Sequence, residues 1–207
     1  MLDFLISAQQ QLFATSAWEL LAVLLAVAYL LLALRENSLC WYCAFVSTAI
    51  FTVLFWDVNL LMESALNVYY IAMAVYGWWQ WRGNKKADMS SVNKAKEIST
   101  WPLRNHLLVW SVIAGLTLIS GNLLANNTMA VLPYLDSFTT WGSVLTTWMV
   151  AQKILENWLY WIVIDTVSIF LYVDRGLHLT SLLFVAYVII VVLGFFAWRK
   201  RMAIDKS

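Results

Sequence analysis

Charged residues are scarce in this chain of 207 amino acids. Aspartate, glutamate, lysine and arginine together make up 12% of it, whereas 62% of the residues are hydrophobic. An average soluble domain has about 25% charged residues. This composition therefore excludes an ordinary soluble protein, and we expect no nucleic-acid partner.

Proline and intramembrane positive charge are also nearly missing. The two prolines, Pro102 and Pro133, lie outside the longest apolar runs. Because proline is the usual cause of a sharp helix kink, we expect helices without proline hinges. No lysine or arginine lies in the middle of an apolar run. A phosphate group needs a basic partner or a glycine-rich backbone cradle, so we do not expect a phosphorylated ligand.

The apolar residues form runs long enough to cross a bilayer, which takes about 20 helical residues. We predict seven membrane-spanning helices: Ala17–Leu34, Leu39–Trp56, Glu63–Trp81, His106–Ala125, Ser137–Leu155, Trp158–Tyr172 and Thr180–Trp198. These spans leave no room for a soluble catalytic domain, so we do not expect an enzyme. Residues 1–16 carry no lysine or arginine and do not resemble a cleavable signal. We expect them to lie on the membrane surface.

The basic residues predict an orientation. If the N-terminus is outside and the helices alternate in direction, only Arg175 among the 13 lysines and arginines lies outside. Basic loops remain on the cytoplasmic side of membranes. We therefore predict a multi-pass protein of a bacterial inner membrane, with a cytoplasmic loop over 83–105 and a cytoplasmic tail over 200–207.

Two short stretches of the chain recur. Glu36–Trp41 shares Glu, Asn, Leu and Trp with Glu156–Trp161 at a shift of 120 residues, and Tyr70, Gly77, Trp81 and Arg82 recur at a shift of 117. A three-helix unit reverses the chain direction, so one connecting helix is needed to give two copies the same orientation. We predict an all-α membrane fold with a 3+1+3 parallel repeat: a first bundle over 17–82, a linker helix over 106–125 and a second bundle over 137–199. Transporters with internal repeats bind their substrate between the halves.

The sixth apolar run is the least lipid-like. Steps of 3, 4, 3 and 4 residues place five side chains on one helical face: Trp158, Trp161, Asp165, Ser168 and Tyr172. A carboxylate inside a membrane is expensive and usually functional, although Asp165 could instead hydrogen-bond a neighbouring helix. Two indoles beside a carboxylate suit a flat cationic ring, although tryptophans near helix ends also serve as interface anchors.

The third and fifth runs add polar side chains. Asn67 and Tyr70 share a face of the third run and should point inward, and Gln152 follows a series of hydroxyl groups in the fifth. Those hydroxyl groups fit helix packing equally well. At the shift of 120, Ser38, Phe45 and Thr48 of the second run match Trp158, Asp165 and Ser168. We therefore expect a site that is lopsided toward the C-terminal half.

Other functional classes lack the residues that they need. His106 and His178 have no partners at metal-binding spacing, and Cys40 and Cys43 lack further ligands, so we expect no metal and no cofactor. A retinal-binding sensor needs a lysine in its last span, and Thr180–Trp198 contains none. An intramembrane enzyme needs a nucleophile–base pair or metal ligands. A purely structural subunit would leave the repeat and the polar face without a role.

The stretch Glu156–Asp165, with its Trp-x-x-Trp element, resembles the sixth-helix motif of the PnuC family of vitamin transporters. The stretch Tyr76–Trp81 resembles the same family, and the likeness covers nearly the whole chain. The resemblance implies a SWEET-like fold and facilitated diffusion, with a cytosolic vitamin kinase trapping the substrate; a homo-oligomer is left open. It also implies the site residues: Trp158, Trp161 and Asn67 as substrate contacts, with Asn157, Gln152 and Tyr70 nearby.

One departure from the family concerns the substrate. Members that carry nicotinamide riboside usually have asparagine where this chain has Asp165. An amide pairs with the carboxamide of nicotinamide, whereas a carboxylate only accepts hydrogen bonds and fits an aminopyrimidine or a thiazolium better. We therefore expect an unphosphorylated cationic B vitamin, with thiamine narrowly ahead of nicotinamide riboside. A proton-coupled carrier of the same substrates is the alternative, because Asp165 can accept a proton.

Overall fold

The structure is a computed structural model that describes residues 6, 16–57, 61–82, 96–128 and 131–205. Within these residues the fold is all helical, with seven long helices in chain order: α1 (Ala17–Leu34), α2 (Cys40–Asp57), α3 (Leu61–Trp81), α4 (Leu103–Asn127), α5 (Pro133–Ala151), α6 (Asn157–Asp174) and α7 (His178–Asp205). The number and order of the helices agree with the sequence prediction.

Capping residues and prolines mark where helices begin. The side chain of Ser16 accepts a hydrogen bond of 3.1 Å from the backbone N–H of Glu19 and so caps α1. Pro102 immediately precedes α4, and Pro133 is the first residue of α5. Proline is favoured at a helix start because the first backbone N–H groups have no partner within the helix. Both prolines therefore stand at helix starts.

Several helix boundaries differ from the predicted spans. Helix α5 begins at Pro133 and ends at Ala151, four residues earlier at each end than predicted, and α7 continues to Asp205. Hydropathy marks where a run is apolar, whereas a helix ends where its backbone hydrogen bonds end. The surface segment predicted for 1–16 lies almost wholly outside the described residues, as do residues 83–95 of the predicted loop.

Polar residues are buried and many large apolar residues are exposed. Helices α1, α4 and α7 are long and apolar enough to cross a membrane. Leu118 and Ile119 of α4 are each 63% exposed, whereas Ser47, Thr146 and Asp165 are buried. Apolar outer surfaces with polar groups turned inward are typical of helices surrounded by lipid. Each of the other four helices contains buried polar residues.

The chain forms two compact units. The first comprises Thr100–Thr146 and Glu156–Val192, and within it the indole of Trp141 donates a hydrogen bond of 3.0 Å to Ser120, which joins α5 to α4. The second comprises Thr15–Ser99, Thr147–Leu155 and Leu193–Ser207. Within it the Ser47 hydroxyl donates to the carbonyl of Ala22 at 2.7 Å and joins α2 to α1.

The first three and last three helices have matching boundaries. Helix α2 runs from Cys40 to Asp57 and α6 from Asn157 to Asp174, so both ends are displaced by 117 residues. The ends of α1 and α5 and the starts of α3 and α7 show the same displacement. We call residues that are 117 positions apart repeat mates.

The shift of 120 residues inferred for Glu36–Trp41 is therefore wrong by three residues. The helix boundaries instead make Trp41 the repeat mate of Trp158, Thr48 that of Asp165 and Phe51 that of Ser168. A slip of three residues is close to one helical turn of 3.6 and keeps similar residues on the same face. A short sequence match could not resolve it.

Candidate functional site

The predicted face of α6 is largely buried in the first unit. Asn157, Trp158, Asp165 and Ser168 are all buried, and Trp161 is half-buried. Helix α5 approaches α6 closely at Gly142, where a Cβ atom would lie 3.0 Å from Ile164. Glycine at this position lets two helices pack without an intervening side chain. The 3,4 spacing of the sequence thus corresponds to a packed face of α6.

Asp165 lies in an aromatic environment. Among the residues that the structure describes, none donates a hydrogen bond to its carboxylate. The hydroxyl of Tyr187 in α7 lies close enough to interact with it electrostatically. Tyr187 belongs to a chain of rings in which Phe184 lies 5.3 Å from Tyr187 and 5.0 Å from Tyr172, centroid to centroid. A buried carboxylate in such surroundings favours a cation or a proton as its partner.

Ser168 shares the face of Asp165 but does not bond to it. Its hydroxyl donates to the carbonyl of Ile164 in its own helix at 2.9 Å. Serine and threonine commonly use this bond to satisfy their hydroxyl groups within a helix. Ser168 can still accept a hydrogen bond from a ligand, but it can donate one only if this internal bond is exchanged.

The remaining predicted site residues belong to the second unit. Asn67 of α3 is buried, and Tyr70 is half-buried with its ring 5.7 Å from that of Tyr69. Gln152 lies in the turn after α5. The structure thus brings five of the predicted residues together on α6, with these three in the second unit.

The amide of Gln152 is held at both ends. Its oxygen accepts a hydrogen bond from the ammonium of Lys96, and its nitrogen donates to the hydroxyl of Tyr76, which also accepts a bond of 2.7 Å from Gln80. Burial lowers the pKa of Lys96, with a smaller opposing effect from Tyr76. Lys96 and Tyr76 were not predicted at the site. Nothing in the sequence pattern links a loop lysine to the end of α5.

A shallow hollow of about 250 Å³ lies between α4 and α6, lined by His106, Trp110, Glu156, Leu159, Tyr160 and Val163. His106 Nδ1 is 3.0 Å from the hydroxyl of Tyr160, and the ring of Trp110 stacks on Tyr160 at 4.8 Å. Leu159 and Val163 are exposed. The hollow contains none of the predicted site residues, and its contacts join α4 to α6. His106, interpreted from sequence as unremarkable, is part of that joint.

Comparison with known proteins gives one consistent result. Residues 16–200 match the family described as nicotinamide mononucleotide transporter. The nicotinamide riboside transporter PnuC of Escherichia coli (strain K12) is 23% identical over 192 residues, covering 81% of this chain and 78% of the relative. The riboflavin/roseoflavin transporter RibM of Streptomyces davaonensis is 24% identical over 183 residues, covering 88% and 84%.

A crystal structure of the vitamin B3 transporter PnuC has the same fold. The two chains superpose with a TM-score of 0.73 at 21% sequence identity, over 98% of this chain and 89% of the other. The match extends over almost all of both chains, so the likeness is one of the whole fold.

Proposed function

The chain belongs to the nicotinamide mononucleotide transporter family, and we propose that it carries unphosphorylated nicotinamide riboside across a membrane. The observation that carries this proposal is the buried face of α6, where Trp158 and Asp165 lie about two turns apart in a helix without lysine or arginine. The pyridinium ring of nicotinamide riboside is flat and positively charged. Indole rings and a carboxylate attract such a ring by stacking and charge.

The preference for thiamine is not supported. The two named relatives above are described for nicotinamide riboside and for riboflavin or roseoflavin, and the structural neighbour for vitamin B3. Nicotinamide riboside retains the positive charge that Asp165 favours. One carboxylate in place of an amide was too little evidence to choose between two cationic vitamins.

A phosphorylated substrate fits the α6 face poorly. Nicotinamide mononucleotide adds a phosphate of about −1.5 to −2 charge at pH 7. Placed near Asp165, this charge would be repelled, and α6 offers no cation to pair with it. We therefore propose the nucleoside rather than the nucleotide as the substrate.

We propose that all seven helices cross the membrane in a 3+1+3 parallel repeat. The equal offsets of 117 residues between the helix boundaries support the repeat. The charge distribution supports an outer N-terminus and a cytoplasmic C-terminus in a bacterial inner membrane. In this proposal the carrier consists of two three-helix bundles, over 17–82 and 137–199, joined by the linker helix and followed by the cytoplasmic tail.

Facilitated diffusion is the proposed mode of transport, with a cytosolic kinase trapping the vitamin as its phosphate. Proton-coupled transport is a second candidate, favoured by the burial of Asp165 without a hydrogen-bond donor in the described chain. The two modes differ in one result. Uptake by facilitated diffusion continues after the proton gradient is collapsed, whereas coupled uptake stops.

Ligand binding to the purified protein tests the substrate proposal through quenching of tryptophan fluorescence. Nicotinamide riboside should bind. Nicotinamide mononucleotide, thiamine and riboflavin should bind at least about tenfold more weakly, which is a loss of about 1.4 kcal/mol or more of binding free energy. Asp165→Leu should weaken binding of nicotinamide riboside about tenfold, because it removes the carboxylate without supplying an amide that could pair with the carboxamide. Thr48→Val, at the repeat mate of Asp165, is the matched control and should bind normally.

Tighter binding of thiamine or riboflavin than of nicotinamide riboside would contradict the proposed substrate. Normal affinity in Asp165→Leu would contradict the role of the carboxylate while leaving the proposed substrate unaffected. If Thr48→Val weakened binding of nicotinamide riboside as much, α2 and α6 would contribute equally to binding.

A further inference from the structure

Two turns of the second unit share an unusual backbone conformation. Helix α1 is followed by Glu36 with φ of 53°, and α5 by Lys153 with φ of 52°. Each N–H bonds to the carbonyl three residues earlier, Glu36 to Ala33 and Lys153 to Val150, both at 2.9 Å. The next N–H bonds to the carbonyl five residues earlier, at 3.0 Å in both turns. This is the Schellman helix ending, in which glycine normally occupies the left-handed position.

The two left-handed residues are repeat mates, and their side chains bind each other. The Lys153 ammonium lies 2.8 Å from a carboxylate oxygen of Glu36, and the two side chains are 3% and 5% exposed. The second oxygen of Glu36 accepts a bond of 3.1 Å from Arg201, and Lys153 lies 4.9 Å from the centre of the Trp81 ring. Opposite charges thus occupy equivalent positions and neutralise each other away from water.

Two tryptophans, also repeat mates, make a reciprocal pair of bonds at the same place. The indole of Trp81 in α3 donates to the carbonyl of Ala151 at 3.1 Å, and the indole of Trp198 in α7 donates to that of Ala33 at 3.0 Å. The two rings lie 5.9 Å apart. The last helix of each repeat therefore binds the end of the first helix of the other.

The junction formed by Glu36, Lys153, Trp81 and Trp198 is buried within the second unit. Ala33, Cys40, Ala151 and Trp198 are at most 1% exposed. By contrast, the ion pair between Asp136 and Arg175 in the first unit has side chains that are 29% and 36% exposed. Water reaches the pair of Asp136 and Arg175, whereas the pair of Glu36 and Lys153 is shielded from it.

We propose that Glu36, Lys153, Trp81 and Trp198 form a gate, which this structure holds closed. The proposal rests on the proposed transport function, because a gate has a role only in a chain that passes a ligand. Glycine would satisfy both turns without strain, yet both positions carry charged side chains that meet. Strained residues persist where the surroundings require them and often lie at switching sites. Because each of these contacts joins a residue of the first repeat to a residue of the second, parting the two repeats breaks all of them together.

Labelling of Cys40 tests whether the junction opens. The chain has two cysteines, so Cys43→Ser leaves Cys40 as its single thiol. Cys40 is fully buried at the start of α2, four residues after Glu36. Glu36→Gly and Lys153→Gly remove the ion pair while supplying the residue that the turn favours. Glu36→Gly should raise the rate of Cys40 labelling by a water-soluble maleimide about tenfold or more, because the Lys153 charge can no longer stay dry unpaired. Lys153→Gly should raise the rate by less.

Arg175→Gln in the same background breaks the exposed ion pair and should leave the labelling rate unchanged. Lys153→Gly leaves Glu36 paired with Arg201 and is the milder of the two glycine variants. Unchanged labelling in both glycine variants would overturn the proposal, as would an equal rise in Arg175→Gln.

A reversible crosslink distinguishes a gate from a permanent joint. Glu36→Cys with Lys153→Cys, in a chain with Cys40→Ser and Cys43→Ser, is linked by a reducible bifunctional methanethiosulfonate. In proteoliposomes, linked protein should bind nicotinamide riboside but not equilibrate it across the membrane, and reductant should restore transport. Transport at the unlinked rate after complete linking would show a fixed joint. If the unlinked protein fails to transport nicotinamide riboside, the proposed function fails, and Cys40 labelling still decides whether the junction opens.

Discussion

Helices α2 and α6 have equivalent boundaries but different side chains. Both have 18 residues, and their boundaries are displaced by 117 positions. Where α6 carries Asn157, Asp165 and Ser168, α2 carries Cys40, Thr48 and Phe51. Two helices can therefore have equivalent lengths and positions in the chain while only one of them, α6, carries the polar groups that suit a cationic ligand. The comparison separates residues that maintain the fold from those proposed to bind the vitamin.

The tryptophans at equivalent positions illustrate this division. Trp41 lies 5.8 Å from the ring of Tyr29 and 5.3 Å from that of Trp81. It also covers Gly77, where a Cβ atom would lie 2.3 Å from the indole. Trp158 shares its helix face with Asp165. We infer that Trp41 serves packing and Trp158 the substrate.

The largest expected effect comes from exchanging these two indoles for methyl groups. Trp41→Ala should lower the free energy of unfolding by about 3–5 kcal/mol, as for other buried aromatic truncations. Nicotinamide riboside binding by its folded fraction should be normal. Trp158→Ala should weaken binding by the folded fraction about tenfold or more, since a stacked, desolvated cation–aromatic contact is worth about 2 kcal/mol.

Thermal unfolding in detergent and fluorescence titration on the same preparations measure both quantities. Loss of binding in Trp41→Ala comparable with that in Trp158→Ala would remove the functional difference between the helices. Trp158→Ala with unchanged affinity would assign both tryptophans to packing.

A methyl group at Gly77 sharpens the structural side of the comparison. Gly77→Ala places its Cβ atom against the Trp41 ring and should destabilise the protein by about 1–3 kcal/mol, the usual range for overpacking. Gly115→Ala is the matched control, because no atom lies within 4 Å of its Cβ position. That control should be neutral or stabilising by up to about 1 kcal/mol. Equal midpoints of thermal unfolding for the two variants would contradict the packing assigned to Trp41.

The smallest expected effect concerns the turn that precedes α2. Burial alone raises the pKa of Glu36, but hydrogen bonds and charges from Lys153 and Arg201 outweigh it and leave the pKa below its ordinary value. The folded protein thus binds this proton less readily than the unfolded chain. The resulting stabilisation is present above the unfolded pKa of about 4.3 and is lost as the pH falls through the lower folded pKa.

Midpoints of thermal unfolding measured from neutral pH downward check this sign. Glu36→Gln should lower the midpoint at neutral pH and flatten its acid decline. Asp136→Asn, which removes the exposed pair, should leave the decline in place, since exposed ion pairs contribute about 0–1 kcal/mol. An unaltered acid decline in Glu36→Gln would assign the acid sensitivity to other groups.

Much of the helical plan could be predicted from the long apolar runs. A backbone surrounded by lipid has no water to bond with, so its N–H and C=O groups must bond to each other within a helix. The seven helices and the resemblance to the PnuC family are confirmed. The register of the repeat was wrong at Glu36–Trp41, since a slip of one turn conserves side-chain character. The substrate preference drawn from Asp165 alone was not supported. The site residues and the membrane topology stay predictions.

The sequence by itself determined the helix order, the apolar surface and the polar face of α6, because each follows from local periodicity along one helix. Only the tertiary structure decided which distant residues meet. Glu36 and Lys153 are 117 positions apart and carry charges that, read singly, belong to ordinary loops. Their pairing depends on two helix ends and a left-handed backbone brought together by packing, and no local pattern in the chain encodes that meeting.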